Sequence, residues 1–96
     1  MFIYHFYTSI LNSNIFCLNG LIEQWGHYPS DIGSNKTVEI PLYINVTKAF
    51  PITNGIVTSS EGYRFTSIQT TSASSITIRS GGDYKVFGAY WFVIGY

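Results

Sequence analysis

Apolar and polar residues alternate along much of the chain with a period of two, the pattern of a half-buried β-strand. The clearest stretch runs from Val38 to Val46, where every second residue is aliphatic. Pro41 lies on the opposite face of this stretch and has no backbone N–H to donate. We therefore expect this strand to lie at a sheet edge or to carry a bulge at the proline.

Five further segments have strand character, and Gly, Asn, Ser and Pro separate them. They are predicted at residues 21–26, 56–60, 63–70, 75–80 and 86–96. The pairs Asn19–Gly20 and Asn54–Gly55 predict tight turns. Segment 86–96 is apolar on both faces, which indicates a central strand or one whose outer face meets another subunit. About six short strands without a helical period predict an all-β fold, a small antiparallel β-sandwich.

The first 18 residues form an apolar segment that differs from the rest of the chain. It is too short for a membrane-spanning helix, and it lacks the positive start and cleavage site of a signal peptide. The alternation over residues 2–7 favours a strand that joins a partner chain or ends a longer fibre. A mis-set start codon or a gene fragment would explain the presence of this segment equally well. We therefore divide the chain into segment 1–18, a fragment or shaft remnant, and one domain at 19–96.

Composition narrows the classes of function. Aromatic residues make up 18% of the chain and charged residues only 10%, with five cations against five anions. Without a basic patch, neither nucleic acid nor an anionic membrane surface is an expected partner, and no membrane insertion is predicted. The single cysteine, Cys17, excludes an intrachain disulfide. Because so small a domain has a limited core, we expect oligomerisation to supplement it.

Several short motifs occur in a characteristic order. They are GLIEQWG at residues 20–26, the strand at 37–46 running into Ala49-Phe50-Pro51, Ile56-Val57, and YWFVIGY at residues 90–96. In this order, residues 20–96 resemble the C-terminal domain of bacteriophage tail fibres. The resemblance implies a homotrimeric β-sandwich knob at a fibre tip, similar in fold to the H-type lectins. Segment 1–18 has no counterpart in that pattern, and Ser75-Ile76 stand where the family favours Gly-Phe.

The resemblance also implies a ligand site. In the H-type lectins, an arginine near the start of the fourth strand and the loop before the last strand line the sugar site; by position these are Arg64 and Asp83-Tyr84. Glu61 lies in the turn before Arg64. We predict that Glu61, Arg64, Asp83 and Tyr84 bind ligand. The alternative, which the usual pairing of surface charges favours, is that Arg64 pairs with Glu61 or Asp83 at the surface or across a subunit interface.

Three aromatic residues are expected in the core or the trimer interface: Trp25, Tyr90 and Trp91. Trp25 has stacking on a sugar as an alternative role. Neither His5 nor His27 has supporting metal ligands in the sequence, although a threefold axis could bring three copies of one histidine together. No metal or cofactor is therefore predicted. The scattered acidic residues form no hydrolytic pair, so no enzymatic activity is expected.

These observations predict the receptor-binding tip of a phage or prophage tail fibre, a virion protein made in the bacterial cytoplasm without a signal peptide. Its partner would be a glycan or an outer-membrane protein on the host surface. Two alternatives remain open: a structural trimerisation cap that binds no ligand, and a degenerate prophage fragment.

Overall fold

The computed structural model describes residues 3–7, 13–18, 20–57 and 62–96, which contain β-strands joined by turns and loops and no helix. The eight described strands are β1 (Ile3–Tyr7), β2 (Ser13–Leu18), β3 (Leu21–Tyr28), β4 (Thr37–Pro41), β5 (Ala49–Gly55), β6 (Arg64–Thr71), β7 (Ser75–Gly82) and β8 (Ala89–Gly95). They form two antiparallel sheets, with orders β1-β2-β3-β8-β5 and β4-β7-β6. The predicted all-β class is confirmed.

The core lies between the two sheets and is built from the inward faces of their strands. Its buried members are Ile32, Ile40, Leu42, Val46, Ile76, Ile78, Val86, Ala89, Trp91 and Val93. Strand β8 lies between β3 and β5, so the central position predicted for the last segment is confirmed. Its alternate residues Tyr90, Phe92 and Ile94 lie on the other face of the five-stranded sheet, away from this core.

Strand β4 is an edge strand of the three-stranded sheet, as the proline at position 41 predicted. The strand ends at Pro41, although the alternation continues as far as Val46. Beyond Pro41 the backbone N–H of Leu42 donates to Ser74 O (2.8 Å), and that of Val46 donates to Ala73 O (2.9 Å). The alternation therefore predicts correctly which side chains are buried as far as Val46. The regular pairing of β4 with β7 nevertheless ends at Pro41.

The strand predicted at residues 56–60 is wrong for Ile56 and Val57, which lie outside any strand. Strand β5 ends at Gly55, and residues 58–60 lie outside the described residues. The predicted turn at Asn54–Gly55 is also wrong, because these residues pair with Tyr90 and Ala89 of β8. A Cβ at position 55 would lie 2.9 Å from Thr66 Cγ2, so the glycine permits close packing of β6 against this strand.

The N-terminal segment contributes two strands to the same sheet. Strand β1 pairs with β2, and β2 pairs with β3 from Ser13↔Gly26 to Leu18↔Leu21. Gly20, at a φ of 84°, lies in the predicted turn between β2 and β3. Ile15 is fully buried, so β2 contributes to the interior. The strand expected from the alternation is confirmed over residues 3–7, and its pairing partner is β2 of the same chain.

Gln24 is fully buried and links β3 to the segment that follows β4. Its Nε2 donates to Ile44 O (2.8 Å), and its Oε1 accepts from Ile44 N (3.0 Å). The side-chain amide thus satisfies both backbone groups of a residue beyond the end of the β4 ladder. This connection joins the five-stranded sheet to the chain that leaves the three-stranded sheet.

Candidate functional site

Three of the four predicted ligand-binding residues lie together at one end of the three-stranded sheet. Arg64 begins β6 and pairs with Gly82, the last residue of β7, while Asp83 and Tyr84 follow directly. We define the loop-end cluster as Tyr63, Arg64, Asp83, Tyr84 and Lys85. Glu61, the fourth predicted residue, lies outside the described residues.

Two hydrogen bonds between short segments, one of them to a side chain, fix the loop-end cluster. The N–H of Asp83 donates to Tyr63 O (2.7 Å), and the Asp83 Oδ2 accepts from Tyr63 N (3.3 Å). Gly82 has a φ of 86°, and a Cβ there would lie 2.0 Å from Tyr63 O. A glycine is therefore required for the two segments to approach this closely.

Arg64 is half-buried among aromatic rings. Its guanidinium carbon lies 5.0 Å from the Tyr84 ring centroid and 5.5 Å from that of Phe87, within the range of a cation–π interaction. Its Nη1 also donates to Lys85 O (3.1 Å). These contacts hold the arginine against two aromatic rings and the loop backbone at Lys85.

An ion pair connects the loop-end cluster to the chain after β3. Lys85 Nζ lies 2.7 Å from Asp31 Oδ2, and both side chains are about half exposed, at 50% and 51%. The same ammonium lies 5.4 Å from the Phe87 ring centroid. Sequence reasoning missed both Asp31 and Phe87. The ion pair spans 54 positions, and no local pattern in the sequence indicates such a contact.

The cluster has the chemistry of a binding surface. Tyr63 and Tyr84 are 67% and 49% exposed, so part of the surface of both rings is available for contact with apolar C–H groups. The cationic groups and the loop backbone supply polar contacts beside these rings. In the described part of the chain, no three His, Cys, Asp or Glu side chains are grouped so that they could hold a metal ion.

A second surface is the outer face of the five-stranded sheet. Across β3, β8 and β5, Trp25 is opposite Phe92, which is opposite Ile52. The Trp25 and Phe92 rings stack with centroids 6.4 Å apart. Phe50 and Tyr90 are exposed on neighbouring rows, and Ile52 is 66% exposed. We call Trp25, Phe50, Ile52, Tyr90 and Phe92 the outer sheet face.

The three predicted core or interface aromatics therefore lie in two places. Trp91 belongs to the buried core, whereas Trp25 and Tyr90 lie on the outer sheet face. The Tyr90 ring also lies beside the His27 ring, with centroids 5.1 Å apart. Adjacent residues of β8 thus lie on opposite faces of the five-stranded sheet, in agreement with the alternating burial along this strand.

Comparison with solved structures gives two matches over the whole chain. An N-truncated R2-type pyocin tail fibre superposes with a TM-score of 0.79 at 19% identity. The chain has the fold of a pyocin tail-fibre region. A C-terminal fragment of the R2 pyocin fibre of P. aeruginosa gives a TM-score of 0.75 at 17% identity. The chain spans 38% and 26% of the length of these two fibre chains.

These matches cover 100% of the chain, so the likeness includes the N-terminal strands as well as residues 19–96. No protein-family model matches the sequence, and no curated protein matches it. Among the described residues, no helix has the length and apolar character needed to cross a membrane.

Proposed function

We propose that the chain is the receptor-binding tip of a phage or prophage tail fibre and that it binds a polysaccharide on the bacterial host surface. The observation that carries this proposal is the match of the entire chain to tail-fibre structures. The motif order in residues 20–96 independently resembles tail-fibre C-terminal domains. Fold and motif order therefore support the same assignment.

The outer sheet face supports a trimeric tip. A monomeric protein rarely exposes a continuous apolar patch of this kind without a partner for it. Ile52, Phe50 and Tyr90 are each more than half exposed on this face. In a trimer around the fibre axis, each copy of the chain would bury these residues against its neighbours. Such a β-sandwich tip would have the lectin-like arrangement that the sequence resemblance implies.

The loop-end cluster is the proposed receptor contact. Saccharide recognition combines aromatic faces, which stack on sugar C–H groups, with fixed polar groups that bind hydroxyls. Tyr63 and Tyr84 supply exposed rings, and Arg64 and Lys85 supply donors. Each site binds weakly on its own, and three sites on one fibre tip gain strength through multivalency.

The first experiment measures the mass of the purified full-length chain by light scattering and then its binding to an array of bacterial lipopolysaccharides and capsular polysaccharides. The proposal predicts three times 10.8 kDa and binding to a restricted set of glycans. An intact trimer that binds no glycan or host cell would favour a structural cap. A stable monomer would contradict the proposed fibre tip.

A further inference from the structure

A cleft with a volume near 290 Å³ opens between the ends of β3 and β4, apart from the loop-end cluster. Its lining residues are His27, Tyr28, Pro29, Glu39, Ile40, Pro41 and Trp91. Six of them come from β3, β4 and β8, and Pro29 directly follows β3; both sheets therefore contribute, and the cleft crosses the side of the sandwich. Trp91, which is only 3% exposed, lies at its buried end.

The walls of the cleft are held by the fold. Pro29 and Pro41 have restricted backbones, and Tyr28 packs against the core cluster. Gly88, at a φ of 139°, lies so close to this wall that a Cβ there would be 2.6 Å from Tyr28 O. Because these elements are fixed independently of any ligand, the cleft is preformed.

The chemistry of the lining is mostly apolar, with one carboxylate and one imidazole. Glu39 is exposed on the edge strand β4, and no side-chain hydrogen bond or ion pair within the described residues occupies its carboxylate. The His27 ring is braced by the Tyr90 ring. Of the described residues that line the cleft, none is lysine or arginine. The local charge therefore disfavours an anionic ligand and suits a neutral or cationic one.

We propose that this cleft is a saccharide subsite that binds one pyranose ring, neutral or bearing an amine, with Glu39 accepting hydrogen bonds from its hydroxyl or amine groups. The apolar lining contacts the C–H face of the sugar. The choice of a saccharide over other compact rings rests on the proposed function of the chain.

Size and position agree with this assignment. Pockets for drug-sized ligands have volumes of roughly 300–1,000 Å³, and this cleft of about 290 Å³ lies at the lower end, where one ring fits. Pro29 of the cleft is two residues from Asp31, which pairs with Lys85 of the loop-end cluster. Residues 29–31 therefore connect the cleft to the loop-end cluster along the chain.

The test follows the two tryptophan indole N–H resonances of the full-length protein during titration with single sugars. Trp91 lines the cleft, and Trp25 on the outer sheet face is the internal reference. The probes are glucose, galactose, glucosamine and galactosamine, with glucuronic acid and cyclohexanol as controls. The proposal predicts a saturable shift of the Trp91 signal with at least one neutral or amino sugar, and weaker binding of glucuronic acid.

A pair of variants connects the shift to the cleft. Glu39→Gln is expected to weaken the binding of the same sugar about tenfold, because a hydrogen bond to a charged acceptor is replaced by a weaker neutral one. Glu23→Gln, on the outer face of β3, is the matched control and is expected to leave the affinity unchanged. Equal affinities for Glu39→Gln and wild type would overturn the proposal.

Further outcomes of the sugar titrations and of the array experiment also test the proposed subsite. A Trp91 signal that moves with cyclohexanol and with none of the sugars would overturn the saccharide assignment, as would tightest binding of glucuronic acid. Sugar binding in the cleft without any binding to the polysaccharide array would keep the subsite and reject the fibre-tip function. Array binding that the Glu39→Gln variant retains in full would keep the fibre tip and reject the subsite.

Discussion

Gln24 gives the sharpest prediction about how the two sheets are held together. Replacing it with leucine keeps nearly the same side-chain volume, so little cavity is expected. The change removes the partners of Ile44 N and Ile44 O, both of which lie in a partly buried position. Each unsatisfied group costs about 1–3 kcal/mol, so the expected loss for the two groups together is about 2–6 kcal/mol. This is a large fraction of the roughly 5–15 kcal/mol that stabilises a domain.

Gln24→Glu separates the roles of the two hydrogen bonds. An ionised carboxylate still accepts from Ile44 N, but it places buried negative charge against Ile44 O. A protonated carboxyl group can make both bonds, so the folded state raises the pKa of the introduced glutamate. Because the folded state then binds the proton more tightly than the unfolded state, this variant loses stability as the pH rises from 5 to 7.

The assay is urea denaturation monitored by tryptophan fluorescence, at one fixed protein concentration because assembly contributes to stability. Gln69→Leu, exposed on β6, is the control and is expected to change stability by less than about 0.5 kcal/mol. The wild type measured at both pH values corrects for other titrating groups. A loss below about 1 kcal/mol for Gln24→Leu would refute the role assigned to the buried amide.

Three further predictions test other parts of the structure. Gly82→Ala should lower the thermal midpoint by several degrees, because the new Cβ meets Tyr63 O in a backbone region that costs about 1–3 kcal/mol; an unchanged midpoint would contradict the packing. Pro41→Ala should change stability in urea by no more than about 0.5 kcal/mol, since the proline lies on an edge strand; a larger loss would show that it does more than end the ladder. Ile52→Asp should reduce the mass found by light scattering with β-structure retained in circular dichroism, whereas Thr71→Asp in the other sheet should not; equal masses would exclude the outer sheet face as the interface.

Much of the fold follows from local pattern. The alternation from Val38 onward predicted both the burial of alternate residues and, through Pro41, the edge position of β4. The two-sided apolar run at the C-terminus predicted the central strand β8. Both inferences depend on the two-residue period of a strand and on the missing N–H of proline, which are properties of the local sequence.

Contacts between distant segments explain what sequence reasoning missed. Gly55 has the sequence pattern of a turn, but its small size serves close packing against Thr66 of β6. The buried amide of Gln24 similarly has a partner 20 positions away. Neither fact has a local signature, because each depends on how the two sheets are placed against one another.

The candidate sites likewise include residues that the sequence indicated and residues that only the folded structure brings together. The family resemblance pointed to Arg64, Asp83 and Tyr84, which the structure brings together, whereas the cleft beside Glu39 was not foreseen. The cleft is assembled from three strands, and its individual residues are unremarkable in their local sequence. Its recognition required the three-dimensional arrangement of both sheets.

The central claim is that a tail-fibre fold presents the loop-end cluster to a bacterial surface polysaccharide. The most direct measurement is the affinity of the Arg64→Met trimer for the polysaccharide identified on the array, compared with wild type. Arg79→Met is the matched control, since Arg79 lies on β7 outside the cluster and its Nη2 donates to Asn35 Oδ1. The account predicts at least about tenfold weaker binding for Arg64→Met and wild-type binding for Arg79→Met. Undiminished binding by an intact Arg64→Met trimer would contradict it.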